Sequence, residues 1–151
     1  MPVRRAAGSP AALLGLALAS FAPVAAAGDA LDARLRLVER AFREGDAAAL
    51  RPCFAGSSKV RVQLVDISEG EGWYASGQLQ VLFARVFEEY ATHELAFRDE
   101  DVAEPTPGTA FARGVWMRGG RRGGPDITET LVLTLREEKG DWKILEMRTS
   151  R

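Results

Sequence analysis

Over residues 71–97 the chain reads EGWYASGQLQVLFARVFEEYATHELAF, and its apolar residues change rhythm along the way. Gly72, Trp73 and Tyr74 predict a short strand or turn. Leu79, Leu82, Phe83, Val86, Phe87 and Tyr90 then recur in steps of three and four, which puts them on one helical face. Ser76 is the expected cap, with Gly77 tolerated at the first helical position. The helix should end near Tyr90 and a strand should begin at Glu94. The remaining elements are expected to form a curved sheet on which this helix lies.

Upstream, Leu31, Leu35, Val38 and Phe42 form a helical stripe that Asp29 or Asp32 can cap and Gly45 can end. Asp46 is placed to cap a short helix over residues 47–53. Residues 59–67 alternate, with Val60, Val62 and Leu64 on one face, as a half-buried strand does. Downstream, strands are expected over residues 94–102, 109–117, 126–136 and 141–149. A Pro/Gly turn separates the first two, the basic connector RGGRRGGP spans 118–125, and a tight turn covers 137–140. On the last strand Trp142, Ile144 and Glu146 should share a face. Early helices followed by a run of antiparallel strands indicate an α+β fold, with the helices on one side of the sheet.

The first 27 residues read differently. Arg4 and Arg5 precede an apolar run over 11–21, Pro23 breaks it, and Ala25, Ala26 and Ala27 supply small residues before Gly28. That is the pattern of a secretory signal peptide cleaved after Ala27, too short to span a bilayer and leaving no stable membrane anchor. A single domain over residues 28–151 would remain, located in a periplasm or outside the cell. Cleavage removes two arginines and no acid, moving the net charge from −1 to −3. Such a balance gives no pull toward nucleic acid. The lone Cys53 cannot form an internal disulfide and reads as a small buried hydrophobe. The chain contains no Asn, which excludes N-glycosylation.

Gly72, Tyr74 and Gln78 ahead of the central helix, Phe87, Tyr90 and Phe97 in and beyond it, and the terminal run ITETLVLTLREEKGDWKILEMR over 127–148 form a combined pattern. It resembles the nuclear transport factor 2-like superfamily, and within it a branch of small exported bacterial proteins with a domain of unknown function. The resemblance covers residues 41–148. It implies a cone-shaped α+β fold with helices packed on a strongly curved antiparallel sheet. Ala75 stands where that branch usually has a capping Ser, and the connector is longer and more basic than the branch suggests. The matching residues are packing residues, and the superfamily hosts isomerases, dehydratases, scaffold domains and non-catalytic binders, so fold alone selects no function.

The resemblance implies two chemistries to look for. Its dehydratases use a His paired with an acid; its isomerases use an Asp base with a Tyr or a protonated acid. His93 is the only histidine and falls in a helix-to-strand connection, where exposure is expected. Asp66, Asp99, Tyr74 and Tyr90 are the residues available for an acid–Tyr pair, with Asp99 on a solvated rim. Glu129 and Glu146 each interrupt an apolar strand face, with Arg148 as an available ion-pair partner. Ser57, Ser58 and Ser76 lack the motif of an activated nucleophile. No His pair has metal-ligand spacing, and no phosphate loop is present.

The reading that follows is an exported, non-catalytic module that binds a small apolar ligand or a protein partner, a second copy through the outer sheet face being one such partner. No cofactor or metal is implied. Trp73, Tyr74, Phe83, Phe87, Tyr90, Phe111, Trp116 and Trp142 are the expected pocket lining, or else they fill the cone as core. The alternative is an isomerase or dehydratase with an acid–Tyr pair in the cavity.

Overall fold

The computed structural model describes residues 25–151; the expected leader lies outside them except for its last three residues. The elements are α1 (Ala25–Glu44), α2 (Ala47–Leu50) with a 3-10 turn (Arg51–Cys53), β1 (Val60–Gln63), β2 (Glu71–Tyr74), α3 (Ser76–Glu89), β3 (Tyr90–Thr106), β4 (Thr109–Gly120), β5 (Ile127–Glu138) and β6 (Asp141–Ser150). They form one unclosed six-stranded sheet, ordered β2-β1-β6-β5-β4-β3, with helices against its inner face. The expected sheet was antiparallel. It is so except where β1 runs parallel to β6, because the last strand of the chain inserts between β1 and β5.

Local signals account for most boundaries. Leu31, Leu35, Val38 and Phe42 are buried as one stripe of α1. The helix starts ahead of Asp29 because the alanines before it are strong helix formers. Gly45 ends it at φ 65°, and the Asp46 carboxylate accepts from the Ala49 N–H at 3.0 Å to start α2. In α3 the buried face is Leu79, Leu82, Phe83, Val86 and Phe87. Its cap is not Ser76. Ala75 occupies that position without a side-chain cap, and Gln78 instead accepts from the Ala75 N–H at 2.8 Å.

β1 ends at Gln63, where the strand was expected to run to Ile67, because the chain turns at residues 64–70 to pair β2 beside it, and three further strands differ from the sequence reading. β3 begins at Tyr90, with no intervening loop, because Tyr90 already pairs with Gly120. Its residues 98–101 bulge out of the ladder, which leaves the acidic Asp99–Asp101 segment in solvent. β4 runs three residues beyond its expected end, so the first half of the connector is tied into the fold. Arg118 to Gly120 are strand, and Arg121 donates from its backbone to the Glu89 carbonyl at 2.9 Å and from Nε to the Phe87 carbonyl at 2.6 Å. These bonds satisfy carbonyls at the end of α3 that otherwise have no partner. In β6 a bulge at Leu145 shifts the alternation. Trp142, Ile144, Met147 and Thr149 face inward, and Glu146 turns to the outer face opposite Thr134.

Candidate functional site

The cone interior divides into a hydrocarbon part and a polar part. In the hydrocarbon part Phe42 is the hub. Its ring lies 5.6 Å from Phe83, 5.3 Å from Phe87 and 5.2 Å from Trp116, the last two edge-on. Phe54 stacks on Phe83 at 5.9 Å. These interlocked rings occupy the space between α1, α3 and the sheet.

The polar part lies where the inward alternation of β4 and β5 continues past the aromatic cluster. On β4 the inward residues are Ala110, Ala112, Gly114, Trp116 and then Arg118; on β5 they are Leu135, Leu133, Leu131 and then Glu129. Trp116 is directly opposite Glu129, which sets Arg118 on the diagonal from Glu129. Arg118 Nε donates to Glu129 Oε2 at 3.3 Å, and both side chains are 0% exposed. Arg118 Nη2 donates to the Val65 carbonyl at 3.4 Å, and the Val65 N–H donates to Thr149 Oγ1 at 2.8 Å. The guanidinium lies 4.3 Å from the centre of the Tyr90 ring and 5.2 Å from that of Trp116. Trp116 Nε1 in turn donates to Thr92 Oγ1 at 3.0 Å. Among the described residues, Arg118 Nη1 and Glu129 Oε1 are buried without a hydrogen-bond partner. Tyr90 is half-buried, and beyond it a cleft of about 480 Å³ is lined by Arg85, Glu88, Glu89, Gly120 and Arg122.

The eight expected lining residues are not brought together. Phe83, Phe87 and Trp116 join the aromatic cluster, and Trp142 is buried near the far end of the sheet, opposite Glu137. Tyr90 sits over Arg118. Tyr74 is half-buried at the edge, where its hydroxyl donates to the Glu69 carbonyl at 2.6 Å. Trp73 (62% exposed) and Phe111 (44%) project from the other side of the sheet. Phe42, read from the sequence as part of the buried stripe of the first helix, and Phe54 also face inward; they were not among the expected lining residues because they come from the early helical region rather than from the central helix and strands.

The expected acids are scattered as well. Asp66 is exposed and ion-paired with Arg151, and Asp99 is exposed on the bulge. His93 lies 3.2 Å from Asp126, with both in solvent. The pair passes over Gly119, where a Cβ would come within 2.6 Å of both side chains. Glu129 was identified as an acid on an apolar face, but its partner is Arg118, not Arg148. The period-two signal was available: extending the Trp116 alternation one step puts Arg118 inward, whereas reading RGGRRGG as a connector hid it.

A second polar cluster pins α1 to β6. Arg34 bonds Asp141 at 2.5 Å and Cys53 Sγ at 3.3 Å, and Lys143 bonds Asp141 at 3.1 Å and the Pro52 carbonyl at 2.6 Å. Burial pushes the Cys53 thiol up, against the pull of Arg34. Partial burial works against the Asp141 carboxylate, but hydrogen bonds from Arg34 and Lys143 outweigh it and hold the group below its usual range.

No protein-family model matches the sequence, and no curated protein matches it either. Solved structures do. A ketosteroid isomerase-like protein from Erwinia carotovora atroseptica superimposes with a TM-score of 0.62 at 17% identity, covering 81% of this chain and 93% of that one. An NTF-2-like protein of unknown function from Shewanella oneidensis gives 0.61 at 15%, covering 82% and 98%. A DUF4783 family protein from Bacteroides uniformis gives 0.60 at 15%, covering 77% and 94%. The chain therefore has the nuclear transport factor 2-like fold, an α+β cone with its helices on the inner face of a curved sheet.

Proposed function

We propose that this chain is an exported, non-catalytic module that binds a small ligand at the polar end of its cone. The observation that carries this reading is the Arg118–Glu129 pair: fully buried, with Nη1 and Oε1 unpartnered among the described residues, and flanked by the Tyr90 and Trp116 rings. A buried pair of this kind is a weak stabiliser, because desolvation of two charges offsets most of their attraction. Its polar atoms are better suited to recognition, since a group that meets them gains hydrogen bonds at sites already desolvated. The rings add flat apolar surface, which favours a ligand with an aromatic or alicyclic body and a polar head. Tyr90 stands between the guanidinium and the outer cleft, so rotation of its ring is the route of entry. Export rests on the leader-like pattern of residues 1–27, and N-terminal sequencing of the secreted chain tests it: any start other than Gly28 contradicts the expected cleavage.

Geometry favours binding over isomerase or dehydratase chemistry. Glu129 and Tyr90 approach the same guanidinium, yet no hydrogen bond joins them among the described residues, and Asp66, Asp99 and His93 lie in solvent. Benzamide, benzoate and benzyl alcohol share one ring and differ in the head, so NMR titration with these three probes tests the reading. At least one should shift the Trp116 indole and Tyr90 ring signals saturably, and the shift should vanish in the Arg118→Met/Glu129→Leu double variant. Signals unmoved by all three probes, or moved equally in the double variant, would overturn it.

A further inference from the structure

On the outer sheet face one cross-strand row holds Arg113 of β4, Val132 of β5, Arg148 of β6 and Gln63 of β1. In the next row Thr130 stands directly opposite Ser150. These six residues line a surface depression of about 540 Å³. Strands lie about 4.8 Å apart, so the Arg113 and Arg148 backbones are about 10 Å apart, and both side chains are long enough to reach a group centred over Val132. Among the described residues neither arginine takes part in an ion pair or a side-chain hydrogen bond. Of the acids on this face, Glu146 stands in register with Arg61, two residues before Arg148, Glu71 stands in register with Gln63, and Glu94 and Glu138 lie on β3 and at the far end of β5. The chain as a whole carries a net charge of −1, so two unpaired guanidinium groups flanking one depression are a local feature, not part of a generally basic surface.

We propose that this depression binds a tetrahedral oxyanion, the phosphate or sulfate group of a larger molecule. Each guanidinium presents a planar fork of donors, and forks of this kind match phosphate and sulfate oxygens two at a time. Gln63, Thr130 and Ser150 add an amide and two hydroxyl donors around the same point. A carboxylate has too few oxygens to use that set, whereas a tetrahedral group with three free oxygens engages both forks and the hydroxyls together. The site lies on the opposite face of the sheet from the Arg118–Glu129 pair, and neither depends on the other.

The test is titration of the isotope-labelled chain with inorganic phosphate and with sulfate, against sodium chloride at equal ionic strength, following the arginine Nε–Hε signals. Phosphate and sulfate should shift Arg113 and Arg148 saturably. Arg113→Gln and Arg148→Gln should each weaken binding about tenfold or more, the loss of one charge-assisted pair. Arg36→Gln, on the exposed face of α1, should leave binding unchanged. Both variants alter exposed positions, so their spectra should otherwise match the parent chain. Glycerol phosphate and phosphatidylcholine–phosphatidic acid vesicles then separate the sources. Binding of the former alone assigns a soluble phosphate, and co-sedimentation lost in Arg113→Gln assigns a lipid surface; each supports the site. Equal shifts from chloride, or binding undiminished in both glutamine variants, would overturn it.

Discussion

The inward face of β5 passes from Leu135, Leu133 and Leu131 to Glu129, and that of β6 from Trp142, Ile144 and Met147 to Thr149. The strands are continuous and stay antiparallel across the bulge at Leu145, yet the two ends of the cone obey different energetics. At the hydrocarbon end the aliphatic and phenyl groups are satisfied by contact alone, and stability grows with area removed from water. At the polar end each group depends on a specific partner, and loss of one leaves another exposed to a low dielectric. The first end holds most of the buried apolar side chains, and the second holds the only buried charge pair among the described residues.

Truncation of the aromatic hub should produce the largest effect. Phe42→Ala removes the ring touched by Phe83, Phe87 and Trp116 and should cost about 3–5 kcal/mol in urea unfolding. At the other end, Arg118→Leu should cost about 3 kcal/mol, because Glu129 keeps its burial and loses its partner. The comparison sharpens with the double variant Arg118→Met/Glu129→Leu, which should return to within about 1 kcal/mol of the parent chain. A double variant as damaged as the single one would mean that the pair is a structural keystone and that the two ends do not differ as described.

Thr92→Val tests a smaller part of the polar end. It leaves the Trp116 indole N–H without its acceptor and should cost about 1–2 kcal/mol. Asp141→Asn should have the smallest effect, below about 1 kcal/mol, because the Asp141 side chain is 49% exposed and its ion pairs are screened. Its signature is pH dependence. A carboxyl held below its usual range stabilises the fold above the unfolded value of about 3.9, and that contribution fades as the pH falls through the lower folded value. Stability of the parent chain should therefore fall on acidification more than that of Asp141→Asn, and equal acid profiles would contradict the assignment.

Legibility in the sequence follows the same division. The stripes of α1 and α3 and the alternation of β4 and β5 could be read because burial imposes a period on apolar residues, and caps such as Asp46 act within a few residues. Three features could not be read in that way. Ala75 is capped from Gln78, a choice between two neighbouring positions that local propensity does not make. Leu145 is a bulge, which becomes apparent only when β5 is laid beside β6 and shifts Glu146 to the outside. Arg118 belongs to a strand because β5 continues to pair with it, although its glycine-rich neighbours predict a loop.

The sequence by itself determined the class of the fold, the order of its elements and which faces of its helices are buried, since each of these depends on residue spacing along one segment. Only the tertiary structure decided which aromatic residues meet, which arginine neutralises Glu129 and where Trp73 and Phe111 point. Those outcomes depend on strand register and on sheet order, including the parallel pairing of β1 with β6, and both are set by contacts between residues far apart in the chain. A charge in a connector and a charge in a core can share the same local sequence, and what separates them is the partner strand beside them.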